Sequence, residues 1–172
     1  MEETNAVRIL CMEDDTGLAR LLSKNLERRG YAVNIVEDGK EGIALLEKTP
    51  YDVVLLDYHM PNMSGIEVIK KLAARGAMPP VIMLTAEGNV EVAVEALKAG
   101  AADYIVKDAD LKYLELLPVI IEQVLSKNRL VHEREQMMES IRESEERYRR
   151  FLENDLRFLR QFWAERSAEV LG

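Results

Sequence analysis

The feature that most constrains this chain is a rhythm of short apolar runs, each followed by a stretch with helical spacing, which occurs five times. The runs are Val7 to Met12, Ala32 to Val36, Val53 to Leu56, Val81 to Leu84 and Tyr104 to Val106. Val53-Val54-Leu55-Leu56 is continuous rather than alternating, so both of its faces must be covered, as happens inside a parallel sheet with helices on either side. Leu18, Leu21, Leu22 and Leu26 then recur at helical spacing, and Arg28, Arg29 and Gly30 close that helix with cations and a glycine. Later helices are marked around Gly42 to Glu47, by Ile66, Ile69 and Leu72, and by Val90, Ala93, Val94 and Leu97. A last one begins before or at Pro118, where proline suits a first helical turn. Repeated strand–helix units with right-handed crossovers predict an α/β fold: a five-stranded, doubly wound parallel sheet. Ligands of such sheets sit beyond the carboxyl ends of the strands, where the strand order reverses.

The strand ends are where the chemistry collects. The first strand runs into Glu13-Asp14-Asp15, the third into Asp57, the fourth into Thr85 and the fifth into Lys107. Neighbouring carboxylates repel one another and rise in pKa unless a cation intervenes. Their hard oxygens in an open site suit Mg2+, which neutralises such a cluster and also grips phosphate oxygens. The Lys107 ammonium and the Thr85 hydroxyl can meet further phosphate oxygens, which frees one carboxylate to attack phosphorus and form an acyl phosphate. Phosphoryl transfer needs little beyond positioning and charge neutralisation.

Four segments, in order, resemble the receiver domains of two-component response regulators: Ile9 to Asp15, Asp57 to Gly65, Leu84-Thr85-Ala86 and Tyr104 to Lys107. The resemblance covers roughly residues 6 to 127. It implies that Asp57 is the phosphoacceptor and that Asp14 and Asp57 ligate Mg2+ directly. Glu13 would act through water, and the backbone carbonyl of His59 would complete the protein ligands. Thr85 and Tyr104 would form the switch pair, and Lys107 is the family's lysine. The phosphodonor would be a phosphohistidine on a sensor histidine kinase or phosphotransfer protein. Such a domain is not a turnover enzyme, although it promotes its own phosphotransfer and dephosphorylation. One departure is Asp108, where the family usually has proline. A trans bond and an altered loop are expected there, because a non-proline cis bond costs about 3 kcal/mol. The simpler expectations for two neighbours are that Asp15 caps the first helix and that Gly65 relieves a turn.

A receiver at 1–127 leaves an extension at 128–172. After Pro118 there is no glycine before Gly172, and charges of both signs dominate, which predicts one long helix or two in succession. Ile121, Val124, Asn128 and Val131 step by three and four, as do Tyr148, Leu152, Asp155 and Leu159, but the pattern is poor from Glu135 to Glu145. A coiled-coil homodimer is the expectation. Phe151, Leu156, Phe158, Leu159, Phe162 and Trp163 are too apolar to stay solvated on a lone helix. Glu143 to Asn154 resembles the helical lead-in to a PAS sensor domain. The chain ends too soon for such a domain, so the extension is either the end of a piece of a longer signalling protein or an output element in itself.

Composition narrows the alternatives. A net charge of -8 argues against phosphate backbones and anionic lipid as partners. The mixed-charge tail offers neither a basic recognition helix nor the turn of a helix-turn-helix. No apolar stretch approaches the roughly 18 residues of a membrane span. The single cysteine, Cys11, has no internal partner and fits a reducing, cytoplasmic setting. The reading is therefore a phosphorylation-dependent signalling module that relays a change at Asp57 to its C-terminal helix or to a partner. The alternative is a receiver-plus-linker part of a larger signalling enzyme, such as a hybrid histidine kinase or diguanylate cyclase. A phosphatase of related fold would want a second aspartate two residues after the nucleophile, where this chain has His59.

Overall fold

In the computed structural model, which describes residues 6–170 apart from 77, 87 and 89, strands and helices alternate strictly. The order is β1 Arg8–Met12, α1 Thr16–Glu27, β2 Ala32–Val36, α2 Gly39–Lys48, β3 Val53–Asp57, α3 Gly65–Ala73, β4 Val81–Thr85, α4 Val90–Ala99, β5 Asp103–Val106 and α5 Tyr113–Val170. Every ladder is parallel, and the strands lie in the order β2-β1-β3-β4-β5. The winding direction reverses between β1 and β3, so their carboxyl ends open the crevice where ligands of such sheets bind.

The continuous apolar runs of β3 and β4 are buried at every position, as a strand covered on both faces requires. Alternate residues feed two cores. Leu10, Met12, Val54, Leu56 and Met83 pack with α2 and α3 on one face. Ile9, Cys11, Leu55, Ile82 and Leu84 pack with α1 and the start of α5 on the other. β2 lies at the sheet edge and is correspondingly more exposed.

Local chemistry sets the helix starts. Asp15 caps α1 by accepting the Leu18 N–H at 3.0 Å. Ser64 and Glu67 form a reciprocal capping box at the start of α3. α5 begins at Tyr113, earlier than proline preference alone suggests, which puts Pro118 inside the helix rather than in its first turn. Proline at 118 leaves the Leu114 carbonyl without its usual intrahelical donor. The Arg29 guanidinium donates to that carbonyl at 3.3 Å, which offsets the loss. Leu117 and Ile121 on the same stretch are fully buried, each contributing about 1.5–3 kcal/mol.

The chain divides into two compact units, Met1–Asn128 and Arg129–Gly172. In the second unit α5 continues as one helix to Val170. Leu156, Phe158, Leu159 and Trp163 are all about half exposed or more there, while the Phe162 side chain lies outside the described residues. Among the described residues no helix is long and apolar enough to cross a membrane.

Candidate phosphoacceptor site

Adjacent parallel strands end on one rim of the sheet, and backbone ladders fix what they carry there. The Glu13 N–H donates to the Val36 carbonyl at 3.0 Å, that of Tyr58 to Leu84 at 2.8 Å and that of Lys107 to Thr85 at 2.7 Å. These bonds extend the sheet one residue past β1, β3 and β5 and hold Glu13, Asp57, Thr85 and Lys107 in register. Glu13, Asp57 and Thr85 are buried, whereas Asp14 is exposed.

Lys107 is the centre of the arrangement. Its Nζ lies 2.6 Å from Glu13 Oε2 and 2.8 Å from Asp57 Oδ1, with the lysine side chain only 12% exposed. Burial lowers the affinity of this ammonium for its proton, but its bonds to Asp57 and Glu13 outweigh that and carry its pKa above the ordinary lysine value. Burial pushes the Glu13 carboxyl above its ordinary range, and the Asp57 charge adds to this, against the lowering effect of Lys107. The two directions describe one situation, in which a single cation is shared between two buried carboxylates. One carboxylate oxygen from each of Glu13, Asp14 and Asp57 lies within 4.8 Å of the others. With Lys107 the one cation paired to them among the described residues, the rim carries excess negative charge on hard oxygens. Because Asp14 reaches solvent, that donor set fits Mg2+ with part of its water shell retained.

The walls of the site have specific causes. Gly65 does not serve a turn with positive φ. A Cβ there would lie 2.5 Å from the Asp57 carbonyl oxygen, so glycine is needed for close approach of α3 to the end of β3. Asn62 takes the left-handed conformation, with φ of 67°, and its side-chain amide donates to Asp38 at the head of α2 at 3.4 Å. His59 is exposed and meets Tyr58 edge-on at 4.7 Å between ring centroids. Tyr104 is 37% exposed on β5, so its ring faces outward, while Thr85 is buried at the rim.

Asp108 carries a role that sequence reasoning missed. Its carboxylate accepts the Tyr113 N–H at 2.8 Å and the Lys112 N–H at 3.0 Å, which ties off the start of α5. Leu111 turns the loop with φ of 59°. All described peptide bonds are trans, including the one before Asp108. The capping box at Ser64 was also overlooked, although serine followed three residues later by glutamate is its sequence signature.

Five parallel strands wound on both faces, with three carboxylates and one ammonium gathered on the carboxyl-end rim, define a receiver-type α/β domain. Residues 9–117 match the response regulator receiver domain, and the chain belongs to that family. The transcriptional regulatory protein ResD of Bacillus subtilis is 43% identical over 107 residues, 62% of this chain and 44% of ResD. Protein RcaC of Microchaete diplosiphon is 40% identical over 104 residues, 60% of this chain and 16% of RcaC. The chain thus spans less than half the length of these curated relatives. The receiver domain of the Francisella response regulator 1452 superposes with a TM-score of 0.66 at 28% identity, over 71% of this chain and 98% of that one. The chemotaxis protein CheY4 of Vibrio cholerae gives 0.62 at 29% identity, over 69% and 98%. Phosphorylation on an aspartate, Mg2+ at the acidic pocket and phosphodonation by histidine kinases or phosphotransfer proteins are general to this family. The matched relatives are regulators rather than catalytic enzymes. The PAS-like stretch at 143–154 lies outside the family match.

Proposed function

We propose that Asp57 accepts a phosphoryl group from a sensor histidine kinase or phosphotransfer protein, and that the resulting change is relayed to the C-terminal helix or a partner. The observation that carries this is the Lys107 ammonium held 2.6 Å from Glu13 and 2.8 Å from Asp57, with the lysine side chain 12% exposed. Asp14, Asp57 and the His59 backbone carbonyl would hold Mg2+, with Glu13 acting through water. When bound, the ion neutralises these carboxylates and grips phosphate oxygens. The Asp57 carboxylate attacks phosphorus. A P–O bond forms, the P–N bond to the donor histidine breaks, and the imidazole nitrogen takes back the electron pair. Lys107 moves from the Asp57 oxygen to a phosphoryl oxygen, so the compensating charge is already in place when the transition state forms. The Thr85 hydroxyl donates to another phosphoryl oxygen, and the space it vacates admits the Tyr104 ring, now outward-facing. Phosphorylation biases a pre-existing two-state equilibrium through these contacts.

In this reading the receiver occupies 1–127, and residues 128–172 pair with a second copy as a coiled coil. Mass measurement after incubation with acetyl phosphate and Mg2+ tests the chemistry. The unaltered chain gains one acid-stable, alkali-labile phosphoryl group, and Asp57→Asn gains none while keeping its circular dichroism spectrum. Uptake by Asp57→Asn equal to that of the unaltered chain would place the acceptor elsewhere. A second reading, a receiver-plus-linker part of a hybrid histidine kinase or diguanylate cyclase, is favoured by the greater length of the curated relatives. It is also favoured by the PAS-like lead-in at 143–154.

A further inference from the structure

Beside its broken heptads, the extension carries an eleven-residue periodicity. Leu130, Met137, Ile141, Tyr148, Leu152 and Leu159 are separated by steps of seven and four in strict alternation, and the next step lands on Trp163. Leu130, Ile141 and Leu152 are therefore spaced by eleven, as are Met137, Tyr148 and Leu159. All six are between 48% and 68% exposed. A heptad frame through Tyr148, Leu152 and Leu159 puts Asp155 in the seam and leaves Leu130, Met137 and Leu156 outside it. The eleven-residue frame takes in Leu130 and Met137, while Asp155 and Leu156 flank it on either side. It also explains why the heptad pattern fails between Glu135 and Glu145, because the two frames drift apart there.

The rest of the helix surface agrees. Arg142 pairs with Glu139 at 3.0 Å and with Glu146 at 3.9 Å, and Arg150 pairs with Glu146 at 3.7 Å. Residues 139, 142, 146 and 150 lie on the side of the helix opposite the apolar stripe, given about 100° per residue. One face is a ladder of solvated ion pairs, and the other is a stripe roughly 44 Å long at about 1.5 Å per residue. A shallow groove of about 580 Å³ runs along that stripe beside Ile141, Tyr148 and Leu152.

We propose that this stripe packs on a second copy of the chain along an eleven-residue seam, as a nearly straight, right-handed coil rather than a left-handed one. Eleven residues over three turns give about 3.67 per turn, slightly more than a free helix, which reverses the sense of supercoiling. A stripe keeps contact along its whole length only with a helix of the same period, and a second copy supplies that period in full. Covering the stripe removes roughly 1,500 Å² from water over both copies, which is the size of a standard stable interface. The proposal rests on the homodimer reading above and refines it.

Sedimentation equilibrium of the full chain separates the frames. Met137→Glu and Leu152→Glu bury a charge in the eleven-residue seam and weaken the dimer at least about tenfold. Met138→Glu and Asp155→Leu lie beside that seam and change the dissociation constant less than about threefold. All four sites are exposed on a helix, and circular dichroism checks that helicity is kept. If Met138→Glu costs as much as Met137→Glu and Asp155→Leu tightens the dimer, the seam is heptad; this proposal fails and the homodimer reading stands. A dimer indifferent to all four substitutions overturns the proposed seam. An unaltered chain that stays monomeric overturns both.

Discussion

Replacing Gly65 with alanine would place a methyl group 2.5 Å from the Asp57 carbonyl oxygen and 2.9 Å from the Met83 sulfur. The sulfur can move, but the carbonyl belongs to the last residue of a fully buried strand, one that ladders with β4 at Leu84. Overpacking of this kind costs about 1–3 kcal/mol. Alanine returns at most about 1 kcal/mol of helix propensity, and less at the first position of α3. The net loss is about 0.5–2.5 kcal/mol, a fall in melting temperature of about 2–10 °C for a unit of this size. Gly42→Ala is the control. A Cβ there would also meet atoms at 2.5 Å, but they are the sulfur and terminal methyl of Met12, which can swing aside. Gly42 lies inside α2, where alanine gains its full propensity, so this variant should sit within about 1 kcal/mol of the unaltered chain. Urea denaturation at fixed protein concentration gives both values. Gly65→Ala should also take up phosphate from acetyl phosphate more slowly, since the displaced carbonyl belongs to the proposed acceptor. If Gly65→Ala proves no less stable than Gly42→Ala, the close approach of α3 to β3 is not what holds glycine at 65.

Two other outcomes follow from buried and capping groups. Burial, then the nearby Glu13 charge, pushes the Cys11 thiol up to about 12, so it stays protonated and should be silent to a thiol reagent at about pH 8 until urea is added. Because that value is raised, its contribution to stability is complete below the ordinary 9.0 and fades as pH climbs towards 12. Labelling of the folded chain at the unfolded rate would contradict this. The Asp108 carboxyl is held below its ordinary 3.8, chiefly by the Tyr113 N–H, so its contribution is present above that value and is lost as pH falls through the lowered one. Asp108→Ala should therefore lower the urea midpoint at neutral pH and converge on the unaltered chain in acid. An equal deficit at both would assign the effect to packing instead.

The sheet was legible because β1, β3 and β4 are apolar on both faces, which a covered parallel sheet accommodates, and because helical spacing follows every strand. The gathering of Glu13, Asp57 and Lys107 was legible for the same reason, since parallel strands end on one side. What escaped reading depends on partners remote in sequence. The need for glycine at 65 arises from a carbonyl eight residues earlier, which no turn preference records. The position of Pro118 inside α5 is tolerated through Arg29, 85 residues away from Leu114. Asp108 looked like a lost proline because its value lies in two backbone donors beyond it. In the extension, polar residues at 134 and 145 fall in the seven-residue seam and hide the eleven-residue spacing of the apolar residues.

An ammonium on the end of a side chain cannot diffuse away. With Lys107 parked between Glu13 and Asp57, the resting domain carries its own counterion at a concentration that no change in cellular salt can dilute. Under the proposed reading, loss of dissolved magnesium would silence the chemistry without leaving the rim bare, and the fold would outlast the signal.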